Sequence, residues 1–177
     1  MVGWILFIAS PEAGYFTAMS GKWHLSALVH DDPEIKPIGR GFQRFFGTTY
    51  GAGSYYDPWT LQRGTKRIEP GEGFYYTDAI SDNAVKNIRD HAGDATPFFQ
   101  YVSYTAPHWP MQVPEEVDLE PYKKIYQQGW DVLRQKRYEK LVSMGLISSD
   151  WKLSPRDDKV SAWEDATDIE WRIHMMA

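Results

Sequence analysis

One helix followed by one apolar strand constrains the fold of this chain more than any other feature. Residues 76–93, YTDAISDNAVKNIRDHAG, predict a helix that has Thr77 or Asp78 as its N-cap and ends at Gly93. An apolar stripe repeats every fourth residue: Ile80, Ala84 and Ile88. The run that follows, 98–104, is almost continuously apolar, as in a strand buried on both faces. This order predicts an α/β fold with a mostly parallel sheet flanked by helices.

Four further segments carry readable patterns. Residues 14–21 predict a short strand between glycines, and TLQRGTKRI predicts a hairpin around Gly64. A second helix is predicted over 125–145. A third should begin at Ser161, which forms a capping-box pattern with Glu164.

Size and composition narrow the classes of function. The 177 residues suggest one domain or part of a larger one. The net charge, 19 − 24 = −5, argues against a nucleic-acid-binding protein. The absence of cysteine excludes disulfides, thiolate zinc sites and cysteine nucleophiles within this sequence. No apolar run reaches the roughly 18 residues that a membrane span requires.

The stretch SGKWHLS places a lysine and a histidine two residues apart, directly after the strand predicted over 14–21. In an extended segment Lys22 and His24 would share one face, and Trp23 would point toward the core. Carboxyl ends of strands are where open α/β sheets bind ligands, and two cationic donors suit an oxyanion. A surface lysine beside a structural turn histidine is the alternative.

A second histidine occupies the corresponding place after the strand predicted over 98–104. His108 lies in TAPHWP, where Pro107 and Pro110 restrict the backbone. An imidazole held there could meet the first pair at one sheet edge and protonate a leaving group. Its alternative is a packed loop histidine, but the two sites together favour a functional site.

These residues stand in segments that resemble a known family. GYFTAMSGKWHLS is similar to the sulfatase signature Gly-Tyr-x-Thr-x-x-x-Gly-Lys-Trp-His-Leu, and PFFQYVSYTAPHWPMQVPEE resembles the later strand and histidine loop. Other segments resemble the bacterial-type arylsulfatase branch in the same order: RGFQRFFGTTYGAGSYYDPWTLQRG, FYYTDAISDNAVKNI and RYEKLVSMGLI. The resemblance covers about residues 13–176.

The resemblance implies an alkaline-phosphatase-like fold and hydrolysis of small-molecule sulfate esters, aryl or sugar. In that family the nucleophile is a formylglycine hydrate, and a divalent cation, usually Ca²⁺, holds the sulfate. On the matching positions, Lys22 would contact the nucleophile's oxygen and the sulfate. His24 would take a proton when the covalent sulfate intermediate collapses. His108 would bind the sulfate and help to protonate the departing alcohol or phenol.

The sequence departs from the family at the nucleophile and at the metal site. No Cys or Ser precedes the family's x-Pro-x-Arg pattern, and Ser10 is followed by PEAG. The Asp31–Asp32 pair is interpreted as a solvated turn, and Asp82–Asn83 as a helix surface rather than Ca²⁺ ligands. The calcium ligands of a full-length family enzyme are therefore expected outside this chain.

The chain is accordingly predicted to be the central portion of a sulfatase catalytic domain over 1–177, with a divergent N-terminus over 1–12. Alone, it is expected to be inactive. A phosphodiesterase or phosphonate hydrolase of the same superfamily, or a non-catalytic protein that binds a sulfated ligand, remains an alternative. Family members are usually exported or lysosomal, but no signal peptide is readable. The loop Gly51-Ala52-Gly53 receives no role, and three nearby aromatics are interpreted mainly as packing residues: Tyr55, Tyr56 and Trp109.

Overall fold

A computed structural model of the chain describes residues 14–26 and 33–177. Contacts divide it into two compact units, Met1–Pro114 and Glu115–Ala177, which are described separately below. The predicted divergent N-terminus and the Asp31–Asp32 turn lie outside the described residues. That both units belong to one catalytic domain stays a prediction.

The first unit is built on a five-stranded sheet of order β4-β3-β2-β1-β5. Its strands are β1 Phe16–Gly21, β2 Arg44–Thr48, β3 Leu61–Arg63, β4 Lys66–Arg67 and β5 Phe98–Ser103. Strand β1 pairs in parallel with β2 and β5, whereas β3 joins β2 and β4 in antiparallel. Helix α1, Tyr76–His91, packs against β1 and β5. The predicted α/β class is confirmed, and the hairpin turns at Gly64 as expected, but the sheet is mixed.

Two apolar clusters form the core because adjacent residues of a strand point to opposite faces of the sheet. Phe45 of β2 packs in one cluster and Phe46 in the other. The first cluster contains Met19, Trp23, Phe42 and Phe45, and the second Phe46, Tyr55, Leu61, Tyr76 and Ile80. Strand β1 lies between β2 and β5, and its Ala18 and Met19 are fully buried.

A buried hydrogen-bond pair ties α1 to β2. The Tyr76 hydroxyl accepts a bond from the Thr48 backbone N–H at 2.7 Å and donates to the Thr48 hydroxyl at 3.1 Å. Burial raises the pKa of Tyr76 to about 12, although both contacts with Thr48 oppose that shift. The first residue of the helix is thus fixed to the last residue of the strand.

Helix α1 departs from its predicted N-terminus and stripe. It begins at Tyr76 with Tyr75 as N-cap and no capping side chain, so the assignment of Thr77 or Asp78 as N-cap was wrong. Ile80 and Ala84 are buried. Ile88 is 40% exposed, because the apolar contact ends about two turns into the helix.

Strand β5 also differs from expectation. It forms the edge of the sheet among the described residues, with only β1 beside it. Its exposed side chains include Phe98, Tyr101 and Val102. The prediction of burial on both faces is therefore wrong for the described part of the chain. An apolar run indicates that a strand can be buried, but it does not identify the neighbouring elements that cover the strand.

The second unit contains three helices and a short 3₁₀ turn: α2 Glu120–Tyr126, α3 Gly129–Ser143, Trp163–Asp165 and α4 Ile169–Met176. The single helix predicted over 125–145 is broken at Gly129, which has a φ of +80°. The Trp163 ring lies where a Cβ of residue 129 would be, and it meets Trp130 edge-on with centroids 4.7 Å apart. The predicted helix start at Ser161 is wrong, since a 3₁₀ turn without a capping side chain follows it.

In the part of the chain that the structure describes, no helix has both the length and the apolar character needed to cross a membrane.

We expect Tyr76→Phe to lower the free energy of unfolding by about 1–3 kcal/mol, because the buried Thr48 N–H loses its acceptor. Tyr104→Phe is the matched control, since its hydroxyl contacts Ser81 at an exposed position, and it should cost less than about 0.5 kcal/mol. Urea unfolding at pH 7 measures both values.

A comparison of wild type with Tyr76→Phe also tests the pKa of Tyr76. A folded-state pKa of about 12 against an ordinary 10 means that wild-type stability is full below pH 10 and falls as the pH rises through 12. The stability advantage of wild type over Tyr76→Phe should therefore fall by up to roughly 3 kcal/mol over that window, which is enough to cancel or reverse it. A constant difference would contradict the assignment.

Candidate functional site

The candidate site lies at the carboxyl ends of three neighbouring parallel strands. Strand β1 leads into 22–24, β2 into 49–53 and β5 into 104–108. The register pairs Gly21 with Ser103, so the residues after β1 and β5 emerge side by side. The structure therefore brings the segments of all three predicted site residues to the same end of the sheet, where the parallel strands have their carboxyl ends.

The backbone just past β1 is bonded to both neighbouring strands. The Lys22 N–H donates to the Ser103 carbonyl at 2.8 Å, and the Trp23 N–H donates to the Thr48 carbonyl at 2.9 Å. At this level the chains approach so closely that a Cβ on Gly21 would overlap the Ser103 carbonyl. A Cβ on Gly47 would likewise overlap the carbonyl of Gly21.

Trp23 points into the core as predicted, but the backbone at His24 does not have the predicted extended conformation. Trp23 is 7% exposed, and its indole Nε1–H donates to the Ile35 carbonyl at 2.9 Å. Lys22 is half-buried and His24 is exposed. Extended geometry was assumed through all three residues, but His24 is left-handed with a φ of 52°. The extended geometry that the prediction required therefore does not reach His24.

Neither Lys22 nor His24 has a hydrogen-bonding or ion-pair partner for its side chain within residues 14–26 and 33–177. Lys22 forms no ion pair there, and no hydrogen bond reaches the His24 ring. The ring instead lies directly over Gly51, with Tyr50 at its edge and centroids 5.9 Å apart. Sequence reasoning gave Gly51 no role, because a glycine in a glycine-rich loop carries no signal of what rests on it.

His108 is exposed, and its backbone and ring are both fixed. Its N–H donates to the Thr105 carbonyl at 2.8 Å, and its carbonyl accepts a 2.6 Å bond from the Tyr55 hydroxyl. The ring nitrogen Nδ1 lies 2.7 Å from the Trp109 carbonyl. A carbonyl can only accept, so Nδ1 carries the proton and Nε2 is left for a ligand. The peptide bonds preceding Pro107 and Pro110 are cis.

Gln112 fastens the loop of His108 to the first unit's core. Its side-chain oxygen accepts from the Tyr55 N–H at 2.7 Å, and its carbonyl accepts from the Tyr75 hydroxyl at 3.1 Å. Burial raises the pKa of Tyr55, and the neighbouring Tyr75 adds to that rise. Tyr55 is therefore a packing residue, as interpreted, whereas Trp109 is 61% exposed.

A small cavity links the surroundings of the two histidines. Gly51, which supports the His24 ring, and Thr105, which bonds the His108 N–H, both line a cavity of about 10 Å³. That volume holds about one water molecule and is too small for a tetrahedral anion. The catalytic roles of Lys22, His24 and His108 stay predictions.

The residues described do not fit a Ca²⁺ site. Within 14–26 and 33–177, no group of three or more His, Asp or Glu side chains is placed to hold a metal. Asn83 of the Asp82–Asn83 pair lies in α1, where it accepts a bond from Arg63 at 2.8 Å and donates to the Ala79 carbonyl. No chemical step is assigned to a metal on these residues.

The Sulfatase family model matches residues 9–159 of this sequence. The chain belongs to the sulfatase family. An uncharacterized sulfatase of Schizosaccharomyces pombe is 31% identical over 176 residues, which cover 90% of this chain and 31% of that protein. An arylsulfatase of Klebsiella aerogenes is 29% identical over 168 residues, covering 88% and 34%. The family resemblance read from the sequence is confirmed.

A solved structure supports the fold. Ps i-CgsB, crystallised in complex with k-i-k-neocarrahexaose, superposes with a TM-score of 0.53 and 28% identity. The match covers 65% of this chain and 28% of that one. This chain spans about a third of the length of the S. pombe and K. aerogenes proteins. The alkaline-phosphatase-like α/β assignment is confirmed.

We expect Gly21→Ala to abolish the close approach of β1 and β5 and to cost more than about 3 kcal/mol, since overlap with backbone adds to conformational strain. Gly41→Ala is the matched control, because Gly41 also has a positive φ, 98° against 121°, but has no atom within 4 Å of its added Cβ. It should cost only about 1–2 kcal/mol. Equal losses in urea unfolding would contradict the steric explanation.

Proposed function

We propose that Lys22, His24 and His108 form the sulfate-holding face of an arylsulfatase-type sulfuric ester hydrolase. The observation that carries the proposal is their delivery to one sheet edge by the adjacent parallel strands β1 and β5. Family membership supplies the reaction class. Because the chain spans only part of its relatives, hydrolysis by a complete enzyme is part of the proposal.

Lys22 supplies the fixed positive charge. Its backbone is held by β5 through the 2.8 Å bond to Ser103, and its ammonium has no carboxylate partner among the residues described. A charge-assisted bond from an ammonium to an anionic oxygen is stronger than one between neutral groups. Lys22 therefore binds a sulfate oxygen and stabilises negative charge that develops in the reaction.

The two imidazoles take opposite parts in proton transfer. With Nδ1–H committed to the Trp109 carbonyl, His108 can donate from Nε2 only as an imidazolium. In that form it binds a sulfate oxygen and can pass its proton to the departing alcohol or phenol. The ring nitrogens of His24 bond no other described residue, so the neutral ring can accept the proton released when the sulfated intermediate breaks down.

The nucleophile and the metal ligands are proposed to come from outside this sequence. The sequence contains no Cys and no matching Ser, so a formylglycine would have to be supplied by further chain. Ca²⁺ would supply charge to hold the sulfate in a full-length enzyme, but its ligands would also have to lie elsewhere.

The proposed substrate is a small sulfate ester, of a phenol or of a sugar. The exposed Trp109 ring follows His108 directly and offers an apolar face to either group. Relatives point both ways, since one is an arylsulfatase and another was crystallised with a neocarrahexaose.

Binding of inorganic sulfate to the 177-residue chain tests the proposed face. We expect Lys22→Ala and His108→Ala each to weaken binding at least about tenfold, which corresponds to losing roughly 1.5 kcal/mol or more. Lys66→Ala, at an exposed position on β4, is the charge-matched control and should change the affinity less than twofold. Isothermal titration calorimetry measures the affinities.

The choice of anion distinguishes the alternatives. Preference for inorganic phosphate over sulfate would favour the phosphodiesterase alternative. Equal affinities in wild type, Lys22→Ala and His108→Ala would refute the proposed face.

We expect the 177-residue chain alone to show no turnover of an aryl sulfate in the presence of Ca²⁺, because it lacks the nucleophile. A chromogenic aryl sulfate assay measures this directly. Turnover that disappears in His108→Ala would contradict the expectation and show that the chain carries its own nucleophile. Binding without turnover in wild type agrees with it.

A further inference from the structure

The loop after β2 contacts the candidate site at Gly51, a residue for which the sequence alone predicts no role. A Cβ on Gly51 would overlap three atoms of the His24 ring: Cε1, Nε2 and Nδ1. Each would lie closer than 3.0 Å, a distance below which Cβ contacts are essentially never seen in proteins. The overlap involves the ring itself, which is rigid, and not the far end of a flexible chain. The His24 imidazole therefore occupies the volume that any side chain at 51 would fill.

Gly51 is required here for space and not for its conformation. Its φ lies outside the positive range that disfavours other residues, whereas eight other glycines have positive φ. The φ of Gly51 therefore does not exclude alanine. What prevents alanine is the ring of a residue 27 positions earlier in the chain.

His24 is held in an uncommon conformation against that surface. Its φ of 52° costs a non-glycine residue about 1–2 kcal/mol, and such strain is often found at functional sites. No hydrogen bond to another described residue orients the ring. The ring's described neighbours are the Gly51 backbone beneath it and Tyr50 at its edge. The direction of its nitrogens is thus set by packing on the Gly51 backbone and the Tyr50 ring.

We propose that Gly51 is a positioning residue for His24, keeping the imidazole at the anion that Lys22 and His108 bind. This inference rests on the proposed function and extends it to a residue that touches no substrate. A methyl group at 51 must displace the ring by about 1 Å to restore ordinary contact, and a misplacement of that size can cost ~100-fold in a catalytic arrangement.

The test compares Gly51→Ala with Gly53→Ala in the intact 177-residue chain. Both glycines lie in one loop and neither has a positive φ, but a Cβ at 53 meets only Trp59, at an ordinary 3.4 Å. Imidazole NMR signals of His24 in ¹⁵N-histidine-labelled protein report the ring, and calorimetry reports sulfate binding. Gly51→Ala should shift those signals and weaken sulfate binding roughly tenfold or more, while Gly53→Ala should leave both unchanged.

A double substitution separates positioning from a general structural role. Once His24→Ala has removed the ring, adding Gly51→Ala should cause no further loss of sulfate affinity or of stability, since nothing remains to be displaced. Further loss in that background would show that Gly51 matters for some other reason and would overturn the inference.

Failure of this inference differs from failure of the proposed function. Wild-type chain that binds sulfate through Lys22 and His108, with His24 signals unaltered in Gly51→Ala, would overturn the inference alone. Wild-type chain that binds no sulfate would overturn the proposed function and the sulfate-positioning role with it.

Discussion

The close approach of three parallel strands at their carboxyl ends is the constraint on which the first unit depends. Two consecutive backbone N–H groups, of Lys22 and Trp23, bond in opposite directions to β5 and β2. Gly21 and Gly47 permit this because any Cβ there would overlap a neighbouring carbonyl. The strands are thereby fixed relative to one another at the level where the candidate site begins.

Side-chain chemistry follows from that backbone arrangement. Trp23 is directed into the core while its neighbours Lys22 and His24 remain accessible to an anion. On the far side of β1, the loop of His108 is anchored by Tyr55 and Gln112, which carry no reactive role themselves. The site therefore combines a rigid, buried supporting structure with a few polar side chains that remain free to bind a ligand.

Local patterns foretold those parts of the molecule in which local and tertiary preferences agree. The strand predicted over 14–21, the hairpin at Gly64 and the core of α1 around Ile80 belong to this group. Where a distant residue decides, the sequence misled. The Ser161–Glu164 pattern predicts a helix start, but a 3₁₀ turn follows instead, and its Trp163 ring packs on the distant Gly129. The left-handed turn at His24 and its support by Gly51 had no local signal at all.

The overlap between position 51 and the imidazole at position 24 also has an evolutionary consequence. The two positions compete for one volume, so neither can enlarge unless the other shrinks. Relatives that keep a histidine at 24 should carry glycine at 51, and a lineage that loses the imidazole becomes free to vary there. Covariation across many homologous sequences would then record a steric dependency between two loops that no single sequence reveals.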